Sequence, residues 1–433
     1  MSTTIPTGSL ADFEKYTREL RRLLFQSGIN RQDERLVAAL DGEPGRKLRE
    51  SVRGTLLRES GTFFTGAKIS SRLVRGLTNI CRTGAVDPAC GAGDLLLAVA
   101  RNLPIRRTFE ETMEAWAACL AGCDIHGEFV TATKLRLCLL ALQRGVALPS
   151  SQMNMSDILV KITSADGMTH SPLDEPKLVV MNPPYTRVTA PDDCEWAEGL
   201  VSSAALFVDR WLELIPRAGR LIALLPDVLR TGSNYRAWRE SVLRRSSLEH
   251  LEILGRFDQS ADVDVFAATF LVGSGRVVGG PGAWKWTNGS RISTVGDRFS
   301  VHVGSIVPHR DRKAGRQHAY LNAKAAPPWG TCKRLSGRIR TERTVFQPPC
   351  VVVRRTSSPS DAMRAIGTVI LGSRSVAVEN HLLVLTPYND SVEECYELIK
   401  ILKSAKTTKW LNQRIRCRHL TVDAVAAIPW WSD

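Results

Sequence analysis

The chain has 433 residues and carries 58 Lys and Arg against 44 Asp and Glu, a formal net charge of +14. This length predicts two or three domains with sizeable cores, and no apolar run is long enough to cross a bilayer. The ten cysteines form no Cys-x-x-Cys pair and lack partners at zinc spacing. We therefore expect no metal site and no membrane association, and we expect free thiols in a reducing, cytoplasmic setting.

Helical periodicity with mixed charge marks three stretches near the start of the chain, at residues 13–25, 31–40 and 46–58. These predict an N-terminal helical segment, residues 1–58, that caps a following sheet or meets a partner.

A glycine turn follows at residues 85–94, which read Ala-Val-Asp-Pro-Ala-Cys-Gly-Ala-Gly-Asp and precede an apolar run at 95–100. The pattern predicts a short strand, a turn and a helix, the plan of nucleotide-cofactor sites in doubly wound sheets. Gly91-x-Gly93 lacks the third glycine of the dinucleotide fingerprint, and no Gly-Lys-Ser/Thr follows. Neither NAD nor a P-loop is favoured.

Acidic residues recur where later strands of such a sheet should end, at Asp124 and at Asp157. A carboxylate at the end of the second strand suits a ribose diol. Each aspartate alone is equally compatible with a helix N-cap or a turn.

The apolar run 178–181 ends in Asn182-Pro183-Pro184-Tyr185. Two prolines after a strand impose a rigid, extended turn. That turn presents an amide and an aromatic ring together, which suits a planar group with an exocyclic amine. The alternative is a simple proline turn with Tyr185 in the core.

Taken together, Asp-Pro-Ala-Cys-Gly-x-Gly and Asn-Pro-Pro-Tyr resemble the motifs of S-adenosylmethionine-dependent DNA amino-methyltransferases. Residues 61–69 resemble the GxFYTPxxV segment of the gamma class, with Gly66 in place of the usual proline. The order of the three motifs indicates the gamma arrangement, and the resemblance spans roughly residues 50–275. It implies an α/β fold with a doubly wound, Rossmann-like methyltransferase sheet, and a catalytic domain at residues 59–275.

The resemblance also implies roles for individual residues. The carbonyl oxygens of Asn182 and Pro183 would accept hydrogen bonds from the target amine, and Tyr185, after Pro184, would stack on a flipped base. Phe266 would close the other side of the base, with Phe257 as a competing candidate. The cofactor-binding candidates are Thr65, Asp87, Ala89, Gly91, Gly93, Asp124, Asp157, Ile158 and Asn182. Asp124 would hold the ribose, and Asp157 with Ile158 would contact the cofactor's adenine.

Charge is uneven along the chain. Residues 1–270 carry 33 basic and 33 acidic side chains, whereas residues 271–433 carry 25 and 11. Glycines at 273–282 suggest a boundary, after which short β-like runs (291–295, 301–307, 351–353, 375–378, 380–385) alternate with basic loops. Helices are predicted at 392–404 and 410–414, and residues 421–429 resemble the closing segment of gamma-class target-recognition domains. The clusters at 310–313, 333–334, 338–340 and 354–355, beside Trp284, Trp286 and Trp329, predict a basic, mixed α+β target-recognition domain at residues 283–433 that binds double-stranded DNA.

The resemblance, together with the C-terminal positive charge, implies a site-specific methyltransferase acting on the N6 amine of adenine in duplex DNA, with S-adenosyl-L-methionine as cofactor and no metal required. A modification role in a prokaryotic restriction-modification or phage-defence system would place it at the nucleoid, beside a separate restriction endonuclease. The alternatives are an N4-cytosine DNA methyltransferase, a protein-glutamine methyltransferase and a non-enzymatic DNA-binding relic.

Overall fold

The computed structural model describes residues 5–26, 29–77, 80–147, 157–257, 263–273, 284, 293–308, 310–311, 314–415 and 418–431. The chain divides into two compact units, one of residues 1–230 and 234–284, the other of residues 231–233 and 285–433. The predictions for residues 154–156, 274–282, 286, 291–292 and 312–313 lie outside the described residues. No helix in the described ranges is long and apolar enough to cross a membrane.

The predicted N-terminal helices are present in the first unit. After a 3₁₀ turn at Thr7–Leu10 they are α1 (Ala11–Leu24), α2 (Glu34–Ala39), α3 (Glu43–Ser51) and α4 (Gly54–Ser60). The third predicted helix is two helices, because Val52 is extended at φ −119° and ψ 133°. Phe13 and Leu20 on the buried side of α1 belong to the same hydrophobic core as residues of the central sheet.

Seven strands form that sheet in the order β3-β2-β1-β4-β7-β9-β8. The first five are parallel, and β9 runs antiparallel between β7 and β8. The strands are β1 (Ala85–Asp87), β2 (Leu120–Asp124), β3 (Ile162–Ser164), β4 (Leu178–Met181), β7 (Arg220–Pro226), β8 (Ser246–Arg256) and β9 (Asp264–Val272), with a separate hairpin of β5 (Arg187–Thr189) and β6 (Leu200–Ser202).

Helices cover both faces of the sheet, as its side-chain alternation requires. Along β4, Leu178 and Val180 enter one hydrophobic core, and Val179 and Met181 enter the other. The remaining helices of this unit are α5 (Ala67–Leu73), α6 (Ile80–Thr83), α7 (Asp94–Ala100), α8 (Phe109–Cys119), α9 (Gly127–Gln143), α10 (Ser203–Leu214), α11 (Asp227–Thr231, ending at the unit boundary) and α12 (Arg236–Arg245), with a 3₁₀ turn at Ser233–Tyr235. The predicted doubly wound α/β fold is confirmed.

The sheet has a topological switch point at β1, which pairs with β2 on one side and β4 on the other. In open α/β sheets the crevice outside the carboxyl ends of such strands is where ligands bind. Asp87 and Asp124 end β1 and β2, and Asn182 directly follows β4.

The second unit is a mixed α+β structure, as predicted. A five-stranded sheet has the order β10-β17-β14-β15-β12, and a three-stranded sheet has the order β13-β11-β16. Its elements are β10 (Phe299–Val303), β11 (Arg316–Leu321), β12 (Thr331–Cys332), β13 (Arg338–Thr341), β14 (Cys350–Arg354), β15 (Gly367–Ile370), β16 (Val376–Val378), β17 (Leu382–Pro387), α13 (Val392–Lys403), α14 (Ala405–Arg414) and α15 (Val422–Ala426), after a 3₁₀ turn at Val295–Asp297.

Trp284 differs from its prediction as a base-reading side chain. It is only 2% exposed and lies in the first unit. Its ring packs on Trp238, Phe266 and Phe270, with centroids 5.5, 6.3 and 5.8 Å away. Because the indole is enclosed by this core, it is a packing residue and cannot contact bases.

Candidate functional site

A cavity of about 440 Å³ lies at the carboxyl ends of β1, β2 and β4, a volume suited to a cofactor-sized ligand. Its walls combine aromatic and aliphatic side chains with a few acidic and amide groups. It is lined by residues 60–64, 88, 89, 91, 124–126, 129, 165–168, 182, 184, 188, 189, 203, 206 and 207.

The glycine turn after β1 is held from two sides. The hydroxyl of Thr133 on α9 donates to the Gly91 carbonyl at 2.8 Å, and the Gly91 N–H donates to the Asp124 carboxylate at 3.0 Å. The second Asp124 oxygen accepts the His126 N–H at 2.9 Å. Asp124 is therefore fixed at the cavity wall beside the turn.

Burial changes the acidity of both strand-end carboxyl groups. Desolvation raises the pKa of Asp87 well above its ordinary value, opposed by the hydrogen bond from the Ala89 N–H. Desolvation also raises the pKa of Asp124, opposed by the His126 and Gly91 N–H groups. Each carboxyl group is thus held in a site that disfavours its own charge, a common feature of binding clefts.

The prediction for Asp157 and Ile158 is wrong about their position in the sheet. They precede β3, which starts at Ile162, so they lie toward the opposite strand ends from Asp124. Asp157 is exposed, and Ile158 is 5% exposed within the hydrophobic core. Neither residue lines the cavity.

The loop after β3 takes the place predicted for Asp157 and Ile158. Ala165, Asp166, Gly167 and Met168 line the cavity. A Cβ on Gly167 would lie 2.0 Å from the Pro88 carbonyl oxygen, so only glycine permits this approach. The Gly167 carbonyl accepts the indole N–H of Trp211 at 2.9 Å. The sequence signal for Asp166 is its place just after the run Ile162–Ser164, but a three-residue strand is a weak pattern.

The Asn182 side chain is fixed in one orientation. Its Nδ2 donates to the Phe63 carbonyl at 3.1 Å and to Thr65 Oγ1 at 3.0 Å. Because a carbonyl can only accept, the amide nitrogen must face residues 63–65. The oxygen Oδ1 then accepts the Tyr185 hydroxyl at 2.7 Å and has a second lone pair available.

Gly66, which departs from the family pattern, has a local explanation. Its φ is +73°, and its N–H donates to Asp94 Oδ2 at 2.7 Å. Proline could neither adopt this φ nor donate that hydrogen bond. The 61–69 segment therefore docks on α7 through a hydrogen bond that the usual proline would remove.

Two aromatic rings lie near the turn formed by Asn182, Pro183, Pro184 and Tyr185. Phe257 is 6.1 Å from Tyr185 at an interplanar angle of 73°, and Phe63 is 6.3 Å from Phe257. The predicted Phe266 is fully buried and packs against Trp284 on the other side of the sheet. Its assignment as a base-facing ring is therefore wrong, and the competing candidate, Phe257, is the ring near Tyr185.

Thr65 and Asn182 are joined directly by a hydrogen bond. A small recess adjoins the cavity at this point, and its lining includes Asn182 together with Asp87, Ala89, Gly91 and Asp94. Gly93 adopts φ +87° as the N-cap of α7. Seven predicted site residues line the cavity or the recess: Thr65, Asp87, Ala89, Gly91, Asp124, Asn182 and Pro184. Tyr185 touches this group through its hydrogen bond to Asn182, whereas Gly93 and Pro183, like Asp157, Ile158 and Phe266, line neither space. No cluster of three or more potential metal ligands occurs among the residues described.

Comparisons with solved structures found proteins similar to this chain. One is described as a class I S-adenosylmethionine-dependent methyltransferase from Listeria monocytogenes, at 16% identity over 62% of this chain and 82% of that chain, with a TM-score of 0.40. Another is a modification subunit of a type I restriction enzyme from Vibrio vulnificus. Its identity is 17% over 53% of this chain and 49% of that chain, with a TM-score of 0.38. A third is the type IIL restriction-modification enzyme MmeI, solved with DNA. Its identity is 12% over 95% of this chain and 67% of that chain, with a TM-score of 0.48.

The chain spans about half the length of the Vibrio protein. A comparison with curated protein sequences found no match. Residues 54–250 match the family model described as N-6 DNA Methylase. This range contains strands β1 to β7 and Asn182 with its hydrogen-bond partners.

Proposed function

We propose that the chain is an S-adenosylmethionine-dependent DNA methyltransferase that modifies the N6 amine of adenine. The observation that carries the proposal is the fixed amide of Asn182, whose oxygen faces away from residues 63–65 with one lone pair available. The N-6 DNA Methylase match over residues 54–250 supports the same reaction.

The residues at the cavity fit this cofactor. Asp124 offers a carboxylate at the wall, suited to ribose hydroxyls, and Ile125, 42% exposed, offers an apolar surface for a purine ring. Asp166 and Met168, in place of Asp157 and Ile158, would contact the adenine edge. Thr65, Asp87, Ala89 and Gly91 would surround the methionine end. The cofactor would supply a sulfonium methyl group.

The chain's own contribution is to bind and orient the target amine. An adenine amine is a poor nucleophile because its lone pair is delocalised into the ring. Asn182 Oδ1 and the Pro183 carbonyl would accept hydrogen bonds from its two N–H groups and favour the pyramidal form that attacks the methyl. As the amine nitrogen bonds to the methyl carbon, the carbon–sulfur bond would break, and the surplus amine proton would pass to solvent. Positioning and fixed dipoles would supply most of the remaining rate.

The target base would leave the duplex and lie against Tyr185. Tyr185 and Phe257 meet edge to face at 73°, so a base between two parallel rings requires one of them to turn. Phe257 is half-buried and packs on Tyr185 and Phe63, and it is the ring that we assign to this movement.

The second unit would bind the DNA backbone. Arg316, Arg338 and Arg340 are exposed on the paired strands β11 and β13, and Lys333, Arg334 and Arg374 are exposed in neighbouring loops. Clustered cations of this kind contact phosphates. Trp329 is half-buried against the unit's core, and the exposed part of its ring would be available to a base. A modification role beside a separate restriction endonuclease in a prokaryotic cell remains part of the proposal.

The test is methyl transfer from labelled S-adenosylmethionine to mixed-sequence duplex DNA, followed by nucleoside analysis. We expect N6-methyladenine. N4-methylcytosine would indicate the cytosine alternative, and label in a glutamine-containing protein substrate would indicate the protein-directed one. Binding of DNA without any transfer or cofactor binding would identify a relic.

Asn182→Ala should lower transfer by about 10²- to 10³-fold, since an oriented acceptor is lost, and should leave cofactor affinity nearly unchanged. Asn102→Ala, whose amide donates to the Ala98 carbonyl in another part of the unit, is the matched control. Equal loss of transfer and cofactor binding in Asn182→Ala would contradict the assigned role.

A further inference from the structure

Arg136 on α9 is fully buried, and its guanidinium joins the N-terminal helices to the glycine turn. Nε donates to the Ala39 carbonyl at 2.7 Å, and Nη2 donates to the Asp41 carbonyl at 3.2 Å. Nη1 donates to the Ala92 carbonyl within the turn. Nη2 also forms an ion pair with Asp94 at 2.9 Å, and the Asp94 side chain is only 7% exposed.

Asp94 extends this network to the segment that holds Asn182. Its Oδ1 pairs with Arg136, and its Oδ2 accepts the Gly66 N–H at 2.7 Å. One buried ion pair therefore contacts the end of α2, the glycine turn and the start of α5.

A second, apolar link runs between the same parts of the unit. Phe13 of α1 packs edge-on against Phe129 at 5.0 Å and lies 6.1 Å from Phe64. Phe64 and Phe129 both line the cavity. A Cβ on Gly91 would lie 2.8 Å from the Phe64 ring, so the ring rests directly on the glycine turn.

We propose that the N-terminal helices are part of the cofactor-binding machinery, and that Arg136 is the positioning residue that couples them to the glycine turn. The proposal deepens the function above and rests on the cofactor assignment made there. A buried guanidinium must keep its acceptors, because an unpaired buried charge is strongly disfavoured. The positions of residues 39–41 and of Ala92 are therefore set together. Binding at the turn should stabilise the docked helices, and their docking should strengthen binding equally.

The first test uses the full, unmodified chain and amide hydrogen exchange with and without S-adenosylmethionine. We expect slower exchange in residues 34–41, which do not line the cavity, when the cofactor is added. Helix α8 is the internal control, because it packs on α9 but contributes no cavity residue. Unchanged exchange at 34–41, with protection confined to cavity residues, would overturn the proposal.

The second test measures cofactor affinity by calorimetry in two variants. Arg136→Lys keeps the charge but replaces the planar fork with a single ammonium, which cannot reach both the Ala39 and Ala92 carbonyls. Asp94→Asn keeps an acceptor for Gly66 and removes the ion pair. We expect each to weaken binding about tenfold, which corresponds to about 1.4 kcal/mol.

Arg144→Lys is the matched control on the same helix. Arg144 donates to the Ala100 carbonyl at 2.8 Å and lies over the Trp116 ring, away from the turn. The affinity of this variant for S-adenosylmethionine should stay within about twofold of wild type. Urea unfolding without cofactor identifies the folded variants, and affinity is compared only among these. If Arg136→Lys does not fold, the proposal is tested by the hydrogen-exchange experiment and by the cofactor affinity of Asp94→Asn.

The outcomes separate this proposal from the proposed function. A wild-type chain that does not bind S-adenosylmethionine contradicts the function itself. A wild-type chain that binds it, with folded Arg136→Lys and Asp94→Asn binding equally well, contradicts only the coupling.

Discussion

At the residue scale, the chemistry of the site depends on side chains whose freedom has been removed. Asn182 uses both amide protons on the 61–69 segment, so its oxygen has a defined direction before any substrate arrives. In the proposed reaction, such preorganisation would let a neutral amide act on an amine without a strong base.

Asp87 provides a pH-dependent test at this scale. Burial raises its pKa, so its favourable contribution to folding is present below the unfolded carboxyl pKa of about 4 and is lost as pH rises through the folded value. Asp87→Asn keeps an acceptor for the Ala89 N–H without the charge. We expect a higher urea midpoint than wild type at pH 7, with the difference vanishing below about pH 4, and weaker cofactor binding.

Asp33→Asn is the control with the opposite sign. The side-chain hydrogen bond from Arg35 lowers the pKa of Asp33. The contribution of Asp33 to folding stability is therefore present above the unfolded pKa and is lost in acid. This variant should lose stability at neutral pH and match wild type in acid. If Asp87→Asn is less stable than wild type at every pH, the desolvation argument is wrong.

Phe257 and Phe266 show a limit of assigning site residues from sequence alone. Phe266 begins an apolar run and Phe257 is followed by polar residues, but this pattern cannot say which ring faces the cavity side. Phe266 lies within β9 with its ring in the core next to Trp284, whereas Phe257 follows β8 beside Tyr185. Sheet register, which the sequence does not state, decides between them.

At the element scale, the site is assembled by loops that follow short strands. β1 and β3 have three residues each, and β4 has four. Such strands leave little periodicity to recognise, which explains why the sequence pattern places the end of the third strand wrongly at Asp157. Long helices and the antiparallel β9 are easier to predict.

Gly167→Ala tests the loop after β3 as an element of the site. The new Cβ would collide with the Pro88 carbonyl, so the loop must move away from the glycine turn. We expect at least a tenfold loss of cofactor affinity by calorimetry. Gly127→Ala is the control, because its nearest neighbour, Ser164 Oγ, would be 3.9 Å from the added Cβ. Equal affinities in both variants would exclude this loop from the site.

At the scale of the whole molecule, the net positive charge and the candidate site are separated along the chain. The first 270 residues are neutral in sum, and the remainder carries the net +14. The cavity, its carboxylates and Asn182 lie in the first unit. A polyanion would therefore be attracted mainly by the second unit.

Salt dependence of duplex binding tests this separation. We expect the triple change Lys333→Gln, Arg340→Gln and Arg374→Gln to weaken binding. The slope of log K against log salt should become shallower by about 0.9 for each phosphate that these side chains no longer neutralise. Fluorescence anisotropy over a salt series measures both the affinity and the slope.

The matched control removes the same charge from the first unit through Lys15→Gln, Arg35→Gln and Arg236→Gln. These side chains pair with Asp12, Asp33 and Glu240. The control should leave the slope nearly unchanged. Equal slopes for both triple variants would contradict phosphate binding by the second unit.

The sequence by itself determined the order of the motifs, the α/β class, the N-terminal helices and the concentration of positive charge after residue 270. These depend on local patterns that a linear chain records directly. Only the tertiary structure decided that Asp166 replaces Asp157 at the cavity, that Phe257 lies beside Tyr185, that Trp284 is a core residue, and that Arg136 joins α2 to the glycine turn. Such contacts are set by sheet register and by packing between distant segments, so no local pattern encodes them.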